Sequence, residues 1–215
     1  MKKIITPDGS VTFHNEQFDE SYHSRSGAKE EAVKKFAEPC QIAEMAKKGH
    51  IRMLDVCFGL GYNTAAAIDT ALEVNPTCII DVVGLEIDEE ILQAILELEN
   101  SFQCFDMIKE AVKQKYQYSK NNINIKIILG DATQTIKTIE AEFDAVFLDP
   151  FSPKKCPQLW TKEFFDDIYK LMKKNSRLAT YSCARIVRDN LKNSGFTIQN
   201  GPQLWRRGPS TIAVK

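Results

Sequence analysis

From Ile51 onward the chain alternates short apolar runs with longer amphipathic stretches, and each such pair reads as a strand followed by a helix. Ile51–Cys57 predicts a strand and Tyr62–Val74 its helix; Ile79–Ile87 and Glu89–Leu98 repeat the pattern. Residues 100–120 read as a polar, helical insertion. Ile123–Leu129 predicts a strand with a short helix at Thr133–Ile139, Phe143–Asp149 a strand with a helix at Lys162–Met172, and Leu178–Ser182 a strand with a helix at Arg185–Lys192. Phe196–Gln199 and Thr211–Val214 predict a closing antiparallel pair. Strands that are apolar on both faces and alternate with helices imply right-handed crossovers. The expectation is an α/β, Rossmann-like domain with a mostly parallel seven-stranded sheet and helices on both faces. Residues 1–40 are less regular and read as an extension before a domain at 41–215, within a single structural domain overall.

Open sheets of this kind bind ligands at the carboxyl ends of their strands, where strand order reverses. Chemistry is therefore expected in the turns after Cys57, Glu86, Leu129, Leu148 and Ser182. After the first strand, Gly59-Leu60-Gly61 opens a helix, where glycine lets backbone amides approach a ligand closely. A lone Gly-x-Gly is a weak signal that a tight turn also explains. Thr64 stands where a dinucleotide fingerprint needs Gly or Ala, which disfavours a nicotinamide enzyme. Glu86 ends the second strand 25 residues after Gly61, placed to accept hydrogen bonds from ribose hydroxyls. Asp131, in Gly130-Asp131-Ala132, reads both as a helix cap before Thr133 and as a ligand contact. Asp149-Pro150-Phe151-Ser152-Pro153 can neither continue a strand nor start a helix, so it predicts a stiff loop with a carboxylate at the strand tip.

Composition narrows the classes. With 215 residues, 43% hydrophobic and 27% charged, the chain has room for one packed α/β domain and is not a disordered protein. No run approaches the roughly 20 apolar residues of a membrane span, and the first residues lack the apolar core of a secretory signal, so a cytoplasmic protein is expected. Cysteines 40, 57, 78, 104, 156 and 183 and histidines 14, 23 and 50 show no metal-ligand spacing; free thiols and no metal are expected. Net charge is −1, yet residues 1–149 hold 15 Lys/Arg against 25 Asp/Glu, and residues 150–215 hold 13 against 4. The basic third suits a polyanionic partner, although solvated helix faces would look the same.

The run Asp144-Ala145-Val146-Phe147-Leu148-Asp149-Pro150-Phe151-Ser152-Pro153, followed by Pro157-Gln158-Leu159-Trp160-Thr161, resembles the loop of the MnmC-type tRNA methyltransferase domains. Ala179–Ala184, Val187-Arg188, Gly195-Phe196 and the leading Phe18–Ala28 are similar to the same family, so the likeness runs from about residue 8 to the end. Cys57 departs from it, standing where the usual pattern has its first glycine. The resemblance implies a class I fold using S-adenosyl-L-methionine, with the extension packed on the cofactor side. It implies a cofactor site drawn from Asp55, Cys57, Phe58, Gly59, Gly61, Asn63, Thr64, Glu86, Ile87, Gly130, Asp131, Ala132 and Asp149, with Tyr22 and Ser24 reaching over it.

By the same resemblance the substrate is the wobble uridine of tRNA. A 5-aminomethyl(-2-thio)uridine would become 5-methylaminomethyl(-2-thio)uridine, with Asp149 as the catalytic group. The chain stops where MnmC continues into a flavin-dependent oxidase, so a separate supplier of the aminomethyl precursor is expected. Pro150, Phe151, Ser152 and Trp160 are the expected substrate contacts, with Phe151 and Trp160 as platforms for the uracil ring; Trp160 reads equally as a core anchor. Lys154, Lys155, Arg185, Arg188, Arg206 and Arg207 are the expected phosphate contacts. Competing readings are a transferase for a small amine or polyamine, a dehydrogenase, and a non-catalytic RNA-binding relic of the fold.

Overall fold

A computed structural model of the chain describes residues 2–22, 27–99, 102–204 and 208–215. The first segment forms a three-stranded antiparallel sheet of β1 (Lys2–Ile5), β2 (Val11–Asn15) and β3 (Glu20–Ser21), in that order. Helix α1 (Ala28–Ala32) widens into a π turn over Val33–Ala37, and α2 (Ile42–Ala46) follows. Then come β4 (His50–Val56), α3 (Tyr62–Val74), β5 (Ile79–Glu86), α4 (Glu89–Ala94), α5 (Phe105–Lys113), β6 (Gln117–Lys120) and β7 (Ile123–Leu129). The chain closes with α6 (Ala132–Thr135), β8 (Phe143–Leu148), α7 (Lys162–Leu171), β9 (Met172–Thr180), α8 (Arg185–Asn193), β10 (Thr197–Asn200) and β11 (Thr211–Val214).

The main sheet has the order β10-β11-β9-β8-β4-β5-β7-β6. Its centre is parallel, through the pairs β9–β8, β8–β4, β4–β5 and β5–β7, and the outer pairs are antiparallel. The seven expected strands are all present. An eighth, β6, comes from the stretch expected to be wholly helical: α5 ends at Lys113, and the chain turns through Lys115 and Tyr116 at φ 55° and 68° to pair with β7. Polar residues hide this edge strand, which has one exposed side to satisfy. Likewise β9 starts six residues earlier than expected, because Lys173–Arg177 is too polar to read as strand.

Each central strand alternates apolar side chains between two cores. Met53, Phe147, Ile80 and Val82 face the side covered by the π turn, α2, α3 and α5; Leu54, Val56, Leu85, Val146 and Leu148 face the side covered by α6, α7 and α8. Helix α3 begins on left-handed Gly61 (φ 74°), runs through Ala65-Ala66-Ala67, and ends before Pro76, which cannot donate the next helical hydrogen bond. Burial of both sheet faces makes the register unforgiving, since a slip of one residue would turn every apolar side chain to the wrong core.

That register builds the site. Val56 pairs with Leu148 on one side and Leu85 on the other, while Glu86 pairs with Leu129. The next residues along β8, β4 and β5 are therefore Asp149, Cys57 and Glu86, in one row with Leu129 of β7, and Gly130 follows one step beyond. Strand order reverses between β4 and β8, so this row sits at the switch point. Among the described residues no helix is long and apolar enough to cross a membrane.

Candidate active site

A cleft of about 760 Å3, counted to its open mouth, lies over this row. One half is built on the turn between β4 and α3. Gly59 and Gly61 take φ values of 55° and 74°, in the region that disfavours side chains. A Cβ on Gly61 would stand 2.9 Å from the Phe58 ring, and one on Gly84 only 2.5 Å from it. Phe58 is thus wedged under the turn, and glycine is required wherever the backbone passes its ring. Cys57 also holds a left-handed conformation, φ 65°, so the residue that departs from glycine keeps the backbone a glycine would have.

Glu86 ties the turn to the sheet. Its Oε2 accepts the Gly59 amide at 2.8 Å, and its Oε1 accepts the amides of Ile87 and Asp88 at 2.8 and 2.9 Å. Burial pushes its carboxyl above the usual range, against the pull of those amides. Two carboxylate oxygens have about four lone-pair positions, so three amides leave room for another donor from the cleft. Asp131 caps α6 by accepting the Thr133 amide and hydroxyl, both at 2.9 Å, and also lines the cleft.

Behind the turn, Thr64 donates to Asp55 Oδ2 at 2.7 Å, and Asp55 Oδ1 is buried without a hydrogen-bond partner among the described residues. Burial raises the Asp55 carboxyl to about 7, with the nearby charge of Glu86 adding to the rise. Asp55, Phe58 and Thr64 were expected at the cofactor; they lie under the turn and support it instead, since none of the three lines the cleft.

The other half is the loop after β8. Asp149 lines the cleft with Gly59 and Glu86, and Asn63, in the first turn of α3, donates from Nδ2 to Asp149 Oδ2 at 2.9 Å. Asn63 Oδ1 is buried and has no partner among the described residues. The loop is gripped at every step. The Asp149 amide reaches Val56 O at 3.1 Å, Tyr181 donates its hydroxyl to Pro150 O at 2.9 Å, and Trp160 Nε1 and Cys156 Sγ each reach Phe151 O at 2.8 Å.

Trp160 is therefore not a platform for a base. It is 3% exposed, packs edge-on to Tyr181, and uses its indole N–H inside the protein. Of its two readings, the core anchor is the one the packing supports. Phe151 lines the cleft, but its ring is stacked on Phe18 at 4.8 Å and tilted against Tyr22 at 5.1 Å, so it is engaged by the protein rather than offered as a free face. Ser152 gives its hydroxyl and its amide to Glu20, which removes it as a substrate donor. Pro150 lines the cleft.

Phe18, Asp88, Cys156, Gln158 and Leu159 also line the cleft and were not foreseen. The spacing of Asp88, two residues beyond Glu86 and capping α4 through Oδ1, could have revealed it; the others are brought in by tertiary packing alone. Tyr22 lines the cleft too, donating to Asp88 Oδ2, and burial lifts its phenol well above the ordinary range.

The basic residues divide. Arg188 spends its guanidinium on Thr211, Asn200, Pro209 and Ser210, which makes it a brace for the last hairpin and not a phosphate contact. Lys155 pairs with Asp19 at 3.6 Å, and Arg185 with Asp189 at 3.5 Å while remaining 93% exposed. Lys154 is exposed. Ser24, Arg206 and Arg207 lie outside the described residues.

A doubly wound sheet closed by an antiparallel hairpin, with a nucleoside-sized cleft at its switch point, defines a Rossmann-like class I methyltransferase. A family model described as S-adenosyl-L-methionine-dependent methyltransferase matches residues 96–215. The crystal structure of MnmC2 from Aquifex aeolicus superposes with a TM-score of 0.85 and is 34% identical, covering 99% of this chain and 69% of that one. An uncharacterized protein of Methanocaldococcus jannaschii is 36% identical over 99% of this chain and 59% of its own length. The tRNA 5-methylaminomethyl-2-thiouridine biosynthesis bifunctional protein MnmC of Leptospira interrogans is 27% identical over 95% of this chain, which spans only 34% of that protein. The chain belongs to the S-adenosyl-L-methionine-dependent methyltransferases, as a domain of the MnmC2 type.

The residues present fit that cofactor. The carboxylates of Glu86 and Asp131 are suited to its hydroxyl and amino donors, and Leu85, Ile87 and Ala132 to the faces of its base. The orphaned Asn63 Oδ1 is an acceptor suited to an ammonium group.

Proposed function

We propose that this domain transfers a methyl group to the amine of 5-aminomethyl(-2-thio)uridine at the wobble position of tRNA, giving 5-methylaminomethyl(-2-thio)uridine, in the cytoplasm. The observation that carries the proposal is the Asp149 carboxylate, fixed by Asn63 in the wall of the cleft that Gly59 and Glu86 also line. The likeness to MnmC and MnmC2 supports the choice of acceptor. Methyl transfer consumes an aminomethyl group and cannot create one, so a reaction of another kind must furnish it.

The bound cofactor supplies an electrophilic methyl on a positively charged sulfur. In our reading Gly59, Glu86, Ile87, Asp131, Ala132 and Tyr22 hold it, while Asn63 and Asp149 flank its amino-acid end. An alkylamine with a pKa near that of lysine, roughly 10.4, is almost wholly protonated at neutral pH. Asp149 holds that ammonium at the mouth of the cleft and takes its proton at Oδ1 or Oδ2, directly or through water, before the freed nitrogen lone pair accepts the methyl group. A carboxylate by itself would raise the amine's pKa, so alignment accounts for more of the rate than basicity does.

The test is methyl incorporation from labelled cofactor into bulk tRNA carrying 5-aminomethyl-2-thiouridine, beside arms with a polyamine mixture and with fully modified tRNA. Label in the first arm alone supports the proposal. Label in the polyamine arm alone refutes it in favour of a small-amine transferase. Cofactor binding with no transfer in any arm refutes it in favour of a non-catalytic domain.

A further inference from the structure

The segment Asn15–Tyr22 crosses both halves of the cleft, and its contacts suggest why. At the donor half, the Tyr22 hydroxyl donates to Asp88 Oδ2 and accepts from Asn15 Nδ2 at 2.9 Å. At the acceptor half, Phe18 stacks on Phe151 at 4.8 Å, and Glu20 engages Ser152 with both carboxylate oxygens. Oε2 accepts the Ser152 amide at 2.8 Å and Oε1 accepts the Ser152 hydroxyl. Glu20 is itself fixed by its place in β3, where it pairs with Asn15 of β2, and Asn15 Oδ1 takes the Phe18 amide at 3.1 Å. A single carboxylate thus clamps the residue three positions after Asp149, from a segment 132 residues away in sequence.

We propose that Glu20 is a positioning residue for methyl transfer: its two-point clamp on Ser152 holds the Asp149–Ser152 loop at the reach over the donor pocket that reaction needs. The other grips on this loop are directed at its carbonyls, at the Phe151 ring and at Asp149 itself. Ser152 O takes the amides of Lys155 and Cys156 just beyond it; among the described contacts Glu20 is what ties Ser152 to a distant segment, through charge-assisted bonds, the stronger kind. Glu20 does not line the cleft, so it acts through the loop and not on the reactants. The inference rests on the acceptor reading given above only for its turnover arm.

Two variants decide it: Glu20→Ala and Glu20→Gln. Glutamine keeps the span and can still accept the amide while donating to the hydroxyl. The first measurement is hydrogen exchange of the substrate-free protein. Amides of the 150–156 segment should exchange about tenfold faster or more in Glu20→Ala, with those of 85–88 unchanged and Glu20→Gln near wild type. The second is kinetics with labelled cofactor and aminomethyl-bearing tRNA. In Glu20→Ala, kcat should fall about 10- to 100-fold with cofactor Kd within about twofold of wild type, and Glu20→Gln should recover most of the loss. Unchanged exchange in 150–156 overturns the clamp. A cofactor Kd that rises in step with lost turnover, or a Gln variant as poor as Ala, reduces Glu20 to general stability and overturns the positioning role. Should wild-type protein fail to methylate tRNA, the acceptor reading fails, and the exchange comparison still decides the clamp.

Discussion

The two halves of the cleft are built by different means. The proposed donor half is mostly local: the glycine turn, the start of α3 and the tip of β5 lie within residues 57–88, with Tyr22, Asp131 and Ala132 added from elsewhere, and its key bonds join Glu86 to the backbone amides of Gly59, Ile87 and Asp88. The acceptor half is assembled from afar, with Asn63, Tyr181, Trp160 and Glu20 each holding one part of the Asp149–Ser152 loop. The difference teaches that one wall of a cleft can be set largely by a single turn and the backbone amides it exposes. Aiming a carboxylate at an acceptor draws on side chains from across the fold, because a loop's own backbone cannot fix its reach.

If the halves divide the labour in this way, their variants should fail differently. The largest effect is expected from Asp149→Ala, with methyl transfer falling about 10²- to 10⁴-fold while cofactor affinity, measured by calorimetry, moves only a few-fold. Equal losses of affinity and turnover would merge the two halves into one. Next is a pH effect confined to the donor half. Asp55 has a folded pKa near 7 against an ordinary 3.8, so the folded state binds the extra proton between those values, and its share of stability is lost as pH rises through that window. Thermal or urea unfolding should show wild type losing on the order of 4 kcal/mol relative to Asp55→Asn between about pH 4 and 8. A pH-independent difference would place the buried charge elsewhere.

Gly61→Ala comes third. A Cβ at φ 74° within 2.9 Å of Phe58 and 3.2 Å of Ile108 should destabilise by about 2–4 kcal/mol and weaken cofactor binding, read by urea unfolding and calorimetry. The smallest effect falls to the acceptor half. Trp160→Phe keeps the packing but removes the N–H that reaches Phe151 O, leaving unfolding free energy lower by about 1 kcal/mol and cofactor affinity unchanged. A Trp160→Phe variant that fails to bind cofactor would restore the indole to the site itself.

The sequence by itself determined the order of strands and helices and the residues at the strand tips. Asp149, Cys57, Glu86 and Gly130 follow directly from apolar runs that stop at polar or glycine positions, and parallel register then aligns the first three, with Gly130 one step beyond the row. It could not show β6 or the early part of β9, where edge exposure and polar composition erase the alternating signal. Nor could it separate the glycine turn's lining from its support, since Asp55 and Thr64 are near neighbours of Gly59 in sequence but point into the core. Tertiary structure alone decided that Trp160 and Arg188 serve the fold. An indole N–H or a guanidinium goes wherever unpaired carbonyls and hydroxyls await it, and here these are Phe151, Thr211, Pro209 and Ser210, brought close only when the sheet closes. Glu20 makes the same point most plainly, because its partner lies 132 residues away and nothing in local spacing links the two.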